Sequence, residues 1–312
     1  MKIGLDIMGG DFAPQAAVEG AILAARELPK GQKIVLIGDE TVAAKLIEEA
    51  GENPAFFEFV HAPDVIGMGE HPTKAIAHKP NSSIARGFQL LKENAIDSFS
   101  SAGSTGAMTV GAVFSVKTIP GVLRPAICTH VPKIKSGSGL LLDIGATVDC
   151  KPEMLSQFGV LGSLFVEHIY GVKNPTVALL NIGEEEEKGN LLAMAAHPLL
   201  KQNPRLNFLG NIEGRNIFED RYDVIVTDGF TGNVVLKMAE SFYLMTLRKG
   251  FRDEFFDRFN YVQYGGSPIL GVNAPVVIGH GISSPEAIKN MVMLSRDMIE
   301  TNIVGKINAA FN

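Results

Sequence analysis

Residues 96–116, IDSFSSAGSTGAMTVGAVFSV, are the stretch that most constrains the fold. They join a short β-branched and aromatic segment to an apolar helical segment through small and hydroxyl residues: Ser101, Ala102, Gly103, Ser104, Thr105 and Gly106. No charge appears between Asp97 and Lys117. The pattern predicts strand, turn and helix. Backbone N–H groups and hydroxyls in such a turn approach a ligand without side-chain hindrance, and a helix start favours an anion. A capped helix after a buried strand has the same local pattern, so repetition is the stronger signal. A second copy lies at 222–240, YDVIVTDGFTGNVVLKMAE, with an apolar strand over 224–227, the turn DGFTGN and helical spacing from Val234. A third opens the chain, with a strand over 3–7, the turn Met8, Gly9, Gly10 and Asp11, and Pro14 suited to the first turn of a helix running to about Leu28.

Strand and helix keep alternating. A strand over 33–38 precedes a helix over 42–50, stopped by Gly51 in the position of a left-handed cap. After a strand at 56–60, residues 62–80 carry Gly67, Gly69, Pro72 and Pro80 without a period and are expected to form a long loop. His61, His71 and His78 in or beside it match no standard metal spacing. Asn81, Ser82 and Ser83 cap a helix to about Asn94. Strands follow at 127–131 and 140–144, the second ending in Asp143, Ile144, Gly145, Ala146 and Thr147, and a helix from Lys151 to Tyr170 is closed by Gly171. Beyond a strand at 176–182, the glutamates 184–187 are expected to be a solvated first helical turn. Lys188, a cation at a helix start, calls for an anion nearby. A further strand at 206–209 leads to a turn over 210–214. The alternation predicts a largely parallel sheet covered on both faces, with ligands at the strands' carboxyl ends. One α/β catalytic domain, in one or two lobes, is expected over 1–312, with a peripheral helical segment at about 241–263.

Composition narrows the function. The 312 residues carry 28 basic and 34 acidic side chains, a formal charge of −6, which argues against nucleic acid and requires any anion to be met locally. Cys128 and Cys150 form neither a metal motif nor a disulfide framework, suit a reducing cytoplasm and are expected to be buried thiols. The chain opens directly on a strand rather than a signal peptide, and the serines, threonines and glycines of the uncharged run 98–116 make it a poor membrane span. Dinucleotide, Walker A and G-x-S-x-G patterns are absent, and neither cysteine lies in a nucleophile motif. What remains is small-anion chemistry without a covalent enzyme intermediate.

Seven segments, KIGLDIMGGDFAP, SSAGSTGAM, LLLDIGATVDCKPE, ALLNIGEEEEKGN, GNIEGR, VIVTDGFTGNVVLK and YGGSPILGVNAPVVIGHG, together resemble the bacterial phosphate acyltransferases of the PlsX type, in the family's order and over almost the whole chain. The resemblance implies a Rossmann-like three-layer α/β/α sandwich related in architecture to phosphotransacetylase and isopropylmalate dehydrogenase. It further implies a cytoplasmic homodimer, without cofactor or metal, that converts acyl-[acyl carrier protein] and inorganic phosphate to acyl phosphate for bacterial phospholipid synthesis. A peripheral position on the membrane, near the glycerol-3-phosphate acyltransferase that consumes the product, belongs to the same expectation. Ser104 stands where the family often has asparagine, and the segment between Leu247 and Tyr264 is shorter than usual. Two alternatives are a phosphotransacetylase-like enzyme using acyl-coenzyme A, and a noncatalytic acyl-carrier or phosphate-binding sensor.

Under this resemblance the chemistry needs no nucleophilic side chain. Phosphate, with a second pKa of about 6 to 7, is largely dianionic at neutral pH, and a thiol of pKa about 8.5 leaves readily. Gly103, Ser104, Thr105 and Gly106 are expected to hold phosphate, Lys188 to neutralise it and Asn233 to donate to the oxyanion. Asp228 is open among orienting water, holding Lys188 and protonating the leaving group. Gly9, Gly10, Asp143, Thr147, Gly229, Thr231 and Gly232 are expected to line the substrate, although Asp6, Asp11 and Asp143 also suit simple turn caps. In 248–262, RKGFRDEFFDRFNYV, Phe251, Phe255 and Phe259 recur every fourth residue, an amphipathic helical pattern. Arg248, Lys249, Arg252 and Arg258 are expected to dock the acidic carrier protein, and the phenylalanines to pack internally, at a dimer surface, on an acyl chain or on a bilayer.

Overall fold

A computed structural model describes residues 1–312, the side chain of Tyr261 apart. In chain order the elements are β1 (Lys2–Asp6), α1 (Gln15–Glu27), β2 (Lys33–Gly38), α2 (Glu40–Glu49), β3 (Glu58–His61), α3 (Pro72–His78), α4 (Ser83–Lys92), β4 (Ser98–Ser101) and α5 (Thr105–Gly111). Then come β5 (Ala126–Pro132), β6 (Ser138–Leu142), α6 (Pro152–Phe165), β7 (Thr176–Asn181), α7 (Leu191–Gln202), β8 (Asn207–Glu213), β9 (Val224–Val226), α8 (Gly229–Arg248) and α9 (Glu254–Asp257). The chain closes with β10 (Ser267–Leu270), β11 (Val276–Ile278), α10 (Pro285–Glu300) and α11 (Ile303–Phe311). Contacts divide it into two compact units, Met1–Thr118 with Tyr261–Val304, and Ile119–Asn260 with Gly305–Asn312.

In the first unit the strand order is β3-β2-β1-β4-β11-β10, parallel except that β10 runs against β11. β2 is a nearly continuous apolar run, β4 buries three serines around Phe99, and Ile3, Leu5, Phe99, Val276 and Val277 are fully buried. Small residues let the covering helices approach. Gly20 on α1 faces Ile288 on α10, where an added Cβ would stand 2.5 Å from the Ile288 Cβ. Gly87 on α4 and Gly111 on α5 leave room for the rings of Phe99 and Phe88, which pack edge to face with centroids 5.1 Å apart.

The second unit has the order β5-β6-β9-β7-β8. Its strands are parallel except for the hairpin β5/β6, whose connection is too short for a crossover. Leu142, Val177, Ala178, Val224, Ile225 and Val226 form the middle of its core.

Four local expectations need correction. The loop expected over 62–80 contains α3, started by Pro72 at its first position, where the missing N–H costs nothing. The strand expected to end at Leu209 continues through Gly210 to Glu213, with an irregularity in its pairing to β7 and φ of 100° at Gly210. The glutamates 184–187 precede the helix: Asn190 caps α7, accepting from the Ala193 N–H, and the first turn contains no acid. The continuous helix expected over 248–262 is broken, because α8 ends at Arg248, Gly250 takes φ of 68°, and only the four-residue α9 follows.

Candidate active site

In the first unit, a buried carboxylate fixes the turn after β4. Asp6 ends β1 almost completely buried. Its Oδ2 accepts the Ser101 hydroxyl at 2.6 Å and its Oδ1 the Met8 N–H at 2.8 Å, while Ser101 Oγ accepts the Gly103 N–H at 2.9 Å. Burial pushes the Asp6 carboxyl up from its ordinary value, against the hydrogen bonds from Ser101, Ser83, Met8 and Gly9. Gly9 belongs here for a steric reason: a Cβ on it would come within 2.6 Å of the Gly103 nitrogen and 2.7 Å of Asp6 Oδ2. Gly10 takes φ of 104°, and the Asp11 N–H donates to the Gly281 carbonyl at 2.7 Å. Three turns at the carboxyl ends of β1, β4 and β11 are thereby joined.

Within the expected phosphate turn, Ser104 is buried and caps α5, its Oγ accepting from the Ala107 N–H at 3.4 Å. Thr105 is exposed, and Gly106 packs on Pro72, where a Cβ would stand 2.5 Å from Cγ. Gly106 thus has a packing reason to be glycine.

The second unit repeats the device. Asp143, fully buried after β6, accepts the N–H groups of Ile127 at 2.9 Å, Gly145 at 3.2 Å and Ala146 at 3.1 Å on Oδ1, and of Thr147 at 2.6 Å on Oδ2. Burial pushes its carboxyl up, against these four bonds. The start of α8 rests on this turn. The Gly229 N–H donates to the Thr147 carbonyl at 2.9 Å, and a Cβ on Gly229 would stand 2.6 Å from Asp143 Oδ2. Gly232 lies against the Asp143 carbonyl, with no space for a side chain.

DGFTGN is therefore the beginning of the helix itself. Asp228 is its cap, with Oδ1 accepting the Thr231 N–H and Oδ2 the Thr231 hydroxyl, both at 2.8 Å. Asn233 lies in the second helical turn, its amide exposed on one side and donating to the Ile144 carbonyl at 3.0 Å. One N–H of that amide is thus committed to the turn after β6.

Lys188 sits in the same unit on the exposed turn between β7 and α7. Its N–H donates to the Glu185 carbonyl at 3.1 Å, and its own carbonyl accepts from Asn181 Nδ2 at 3.0 Å. Asn211 donates to the Glu185 carbonyl at 2.7 Å. Among the described residues Lys188 has no ion-pair partner, whereas Glu186 pairs with Lys201 at 2.5 Å. The sequence offered no signal that Asn181 and Asn211 shape this turn.

The basic cluster is less uniform than its sequence. Arg248 and Lys249 are exposed at the end of α8. Arg252 faces Asp257 at 3.6 Å. Arg258 turns inward: its Nη2 donates to the Ile134 carbonyl at 3.1 Å and its guanidinium lies over the Phe255 ring. Phe255 and Phe259 pack edge to face on each other and on Phe218, with centroids 5.1–6.0 Å apart, so they are internal contacts.

Cys128 is buried, and Cys150, half-buried, donates its thiol to the Thr147 carbonyl at 3.3 Å. Burial holds Cys150 up at about 12 and raises Cys128 as well, so neither supplies a thiolate at neutral pH. Among the described residues no group of three His, Cys, Asp or Glu side chains is placed to hold a metal ion, and no helix is long and apolar enough to cross a membrane.

Residues 1–255 match the family described as "Fatty acid synthesis protein". The chain is 42% identical over 331 aligned positions to a phosphate acyltransferase of Dictyoglomus turgidum, covering 100% of this chain and 98% of that one. It is 44% identical over 328 positions to a phosphate acyltransferase of Desulforamulus reducens, covering 98% and 96%. Among solved structures, a phosphotransacetylase from Streptococcus pyogenes superposes with a TM-score of 0.70 at 17% identity, covering 96% of this chain and 94% of that one. The EutD phosphotransacetylase from Staphylococcus aureus gives 0.66 with the same identity and coverage. At that identity the likeness establishes the largely parallel α/β fold and nothing about substrate. Matched almost end to end by the phosphate acyltransferases, the chain belongs to the PlsX-type phosphate acyltransferase family, enzymes of fatty acid and phospholipid synthesis.

Proposed function

We propose that this enzyme transfers the acyl group of an acyl-[acyl carrier protein] thioester to inorganic phosphate. A phosphate oxygen attacks the thioester carbonyl, the tetrahedral oxyanion collapses, the C–S bond breaks, and the carrier thiolate leaves and takes up a proton. The reading rests on the end-to-end match to phosphate acyltransferases. Two glycine-rich turns, each organised by a buried aspartate, support it, as does the absence of a thiolate nucleophile among the cysteines.

Roles follow from chemistry. Gly103, Ser104, Thr105 and Gly106 are assigned to phosphate, with Lys188 supplying an exposed cation. Asn233 polarises the thioester carbonyl through the N–H that Ile144 leaves free. Asp228 acts through Thr231, holding the start of α8 in place rather than handling a proton. Asp143, Thr147, Gly229 and Gly232 keep that helix start seated, and Gly9 and Gly10 do the same for the phosphate turn.

For partners, α8 carries the main support. Only Gly229 and Gly232 are buried along its twenty residues, while Phe230, Val234, Met238, Phe242 and Met245, spaced by three or four, are exposed. A second copy covering this stripe makes the enzyme a homodimer. Arg248, Lys249 and Arg252 are the remaining carrier-protein contacts, and half-exposed Phe251 is the candidate for peripheral contact with the cytoplasmic face of the membrane.

The test compares one acyl chain on carrier protein and on coenzyme A, with phosphate present. A kcat/KM at least tenfold higher for the carrier-protein thioester is expected. Preference for coenzyme A would give the activity of a phosphotransacetylase.

A further inference from the structure

Within the first unit, a cleft of about 480 Å³ opens between the starts of α1 and α10. Phe12, Ala13, Ala16 and Pro285 form its apolar wall, and Ser284 and Gln15, hydrogen-bonded to Glu19, its polar side together with that glutamate. The volume is in the range of small-molecule sites, roughly 300 to 1,000 Å³. Phe12 is 58% exposed although it stands at the carboxyl end of the sheet, where ligands of such folds bind. Neighbouring apolar groups are also uncovered: Ile282 is 42% and Met68 52% exposed, and the Met68 methyl lies 3.1 Å from where a Cβ on Gly281 would stand. Gly281 bonds Asp11, the residue before Phe12, and its carbonyl is 3.1 Å from the Cβ position of Gly10. The Gly10 position in turn touches Ala102, next to Gly103. Backbone contacts through Asp11, Gly281, Gly10 and Ala102 thus join the cleft to the turn assigned to phosphate.

We propose that this cleft holds the hydrocarbon chain of the acyl substrate, with Phe12 as its principal wall and a determinant of chain length. The inference rests on the acyl-transfer reading above. It commits to the acyl chain because one wall of the cleft is apolar, exposed Phe12 included, and the segment that carries it is bonded to the turns beside the phosphate turn. The pantetheine arm of the carrier protein, rich in amides, would leave hydrogen-bonding groups unsatisfied against the wall of Phe12, Ala13, Ala16 and Pro285.

Two measurements test it. The chain contains no tryptophan, so Phe12→Trp introduces a single fluorescent reporter at an exposed position. Palmitate should shift its emission to shorter wavelength in a saturable way, and butyrate should not; no shift with palmitate overturns the proposal. In parallel, thiol release from palmitoyl- and butyryl-carrier protein is compared for the native enzyme and Phe12→Ser. The ratio of kcat/KM for palmitoyl over butyryl should fall about tenfold, equivalent to about 1.4 kcal/mol, a fraction of what burying a phenylalanine contributes. An unchanged ratio, including an equal loss with both chains, contradicts it and points to the arm or the turn. A palmitate-induced shift without thiol release from any substrate would sustain the cleft and reject the reaction.

Discussion

Ser101 and Asp6, ninety-five residues apart, share a buried hydrogen bond of 2.6 Å, and the same serine oxygen receives the Gly103 N–H. The end of β1 thereby sets the shape of the turn that follows β4. Asp6→Ala should leave the Ser101 hydroxyl and the Met8 N–H without their acceptor and lower stability by about 1 to 3 kcal/mol. Urea denaturation checks this, and the KM for phosphate should rise as the turn loosens. An unchanged unfolding midpoint would mean that the carboxylate contributes nothing to the turn.

Strands and most helices were legible because their signals are local. β2 spans the residues its apolar run marks, Gly51 takes φ of 74° after α2, and Gly171 takes φ of 74° after the helix begun at Pro152. Longer-range chemistry was less legible. Asp6 and Asp143 suit simple turn caps in the sequence, and only the fold reveals that Asp143 gathers backbone N–H groups from two segments while Asp6 joins those of its own turn to the hydroxyls of Ser83 and Ser101. The phenylalanine repeat at 251–259 suggests a helix, yet Gly250 carries the opposing signal, and the rings of Phe255 and Phe259 pack on Phe218. The apolar stripe of α8 is not legible in the sequence, because exposure cannot be read from spacing.

Asn233 couples a structural bond to the role assigned to it. Asn233→Ala should reduce turnover by about 10² to 10³ through loss of an oxyanion donor. It should also lower stability by about 1 kcal/mol through loss of the bond to the Ile144 carbonyl. Turnover within twofold of native, with the stability loss intact, would make this residue a clamp alone.

Lys188 has the opposite profile. Exposed and without an ion pair, it contributes little to folding, so Lys188→Ala should leave the thermal midpoint in place. The charge-assisted contact it supplies, roughly 1.5 to 3 kcal/mol, should appear as an increase of about 10- to 150-fold in the KM for phosphate. Native phosphate kinetics would remove it from the site.

His130 makes stability depend on pH. It is half-buried beside Ser138 and Tyr170, and burial, helped by the nearby Arg258 charge, pulls its pKa down to about 3. The folded enzyme keeps the ring neutral while the unfolded chain binds a proton below about 6.5, so this residue costs stability as pH falls from there towards 3. By pH 5 its share is up to about 2 kcal/mol. His130→Gln should flatten the fall in unfolding free energy between pH 7 and pH 5 by that amount. An equal slope in both proteins would place the acid sensitivity elsewhere.

Acyl transfer to phosphate is tested most directly by mass balance. Purified enzyme is incubated with palmitoyl-carrier protein, with and without phosphate, and free thiol is counted against acyl phosphate trapped with hydroxylamine. The account predicts one acyl phosphate per thiol released, and negligible release when phosphate is omitted. Thiol release without phosphate, or an acyl group found bound to the enzyme instead of to phosphate, would contradict it.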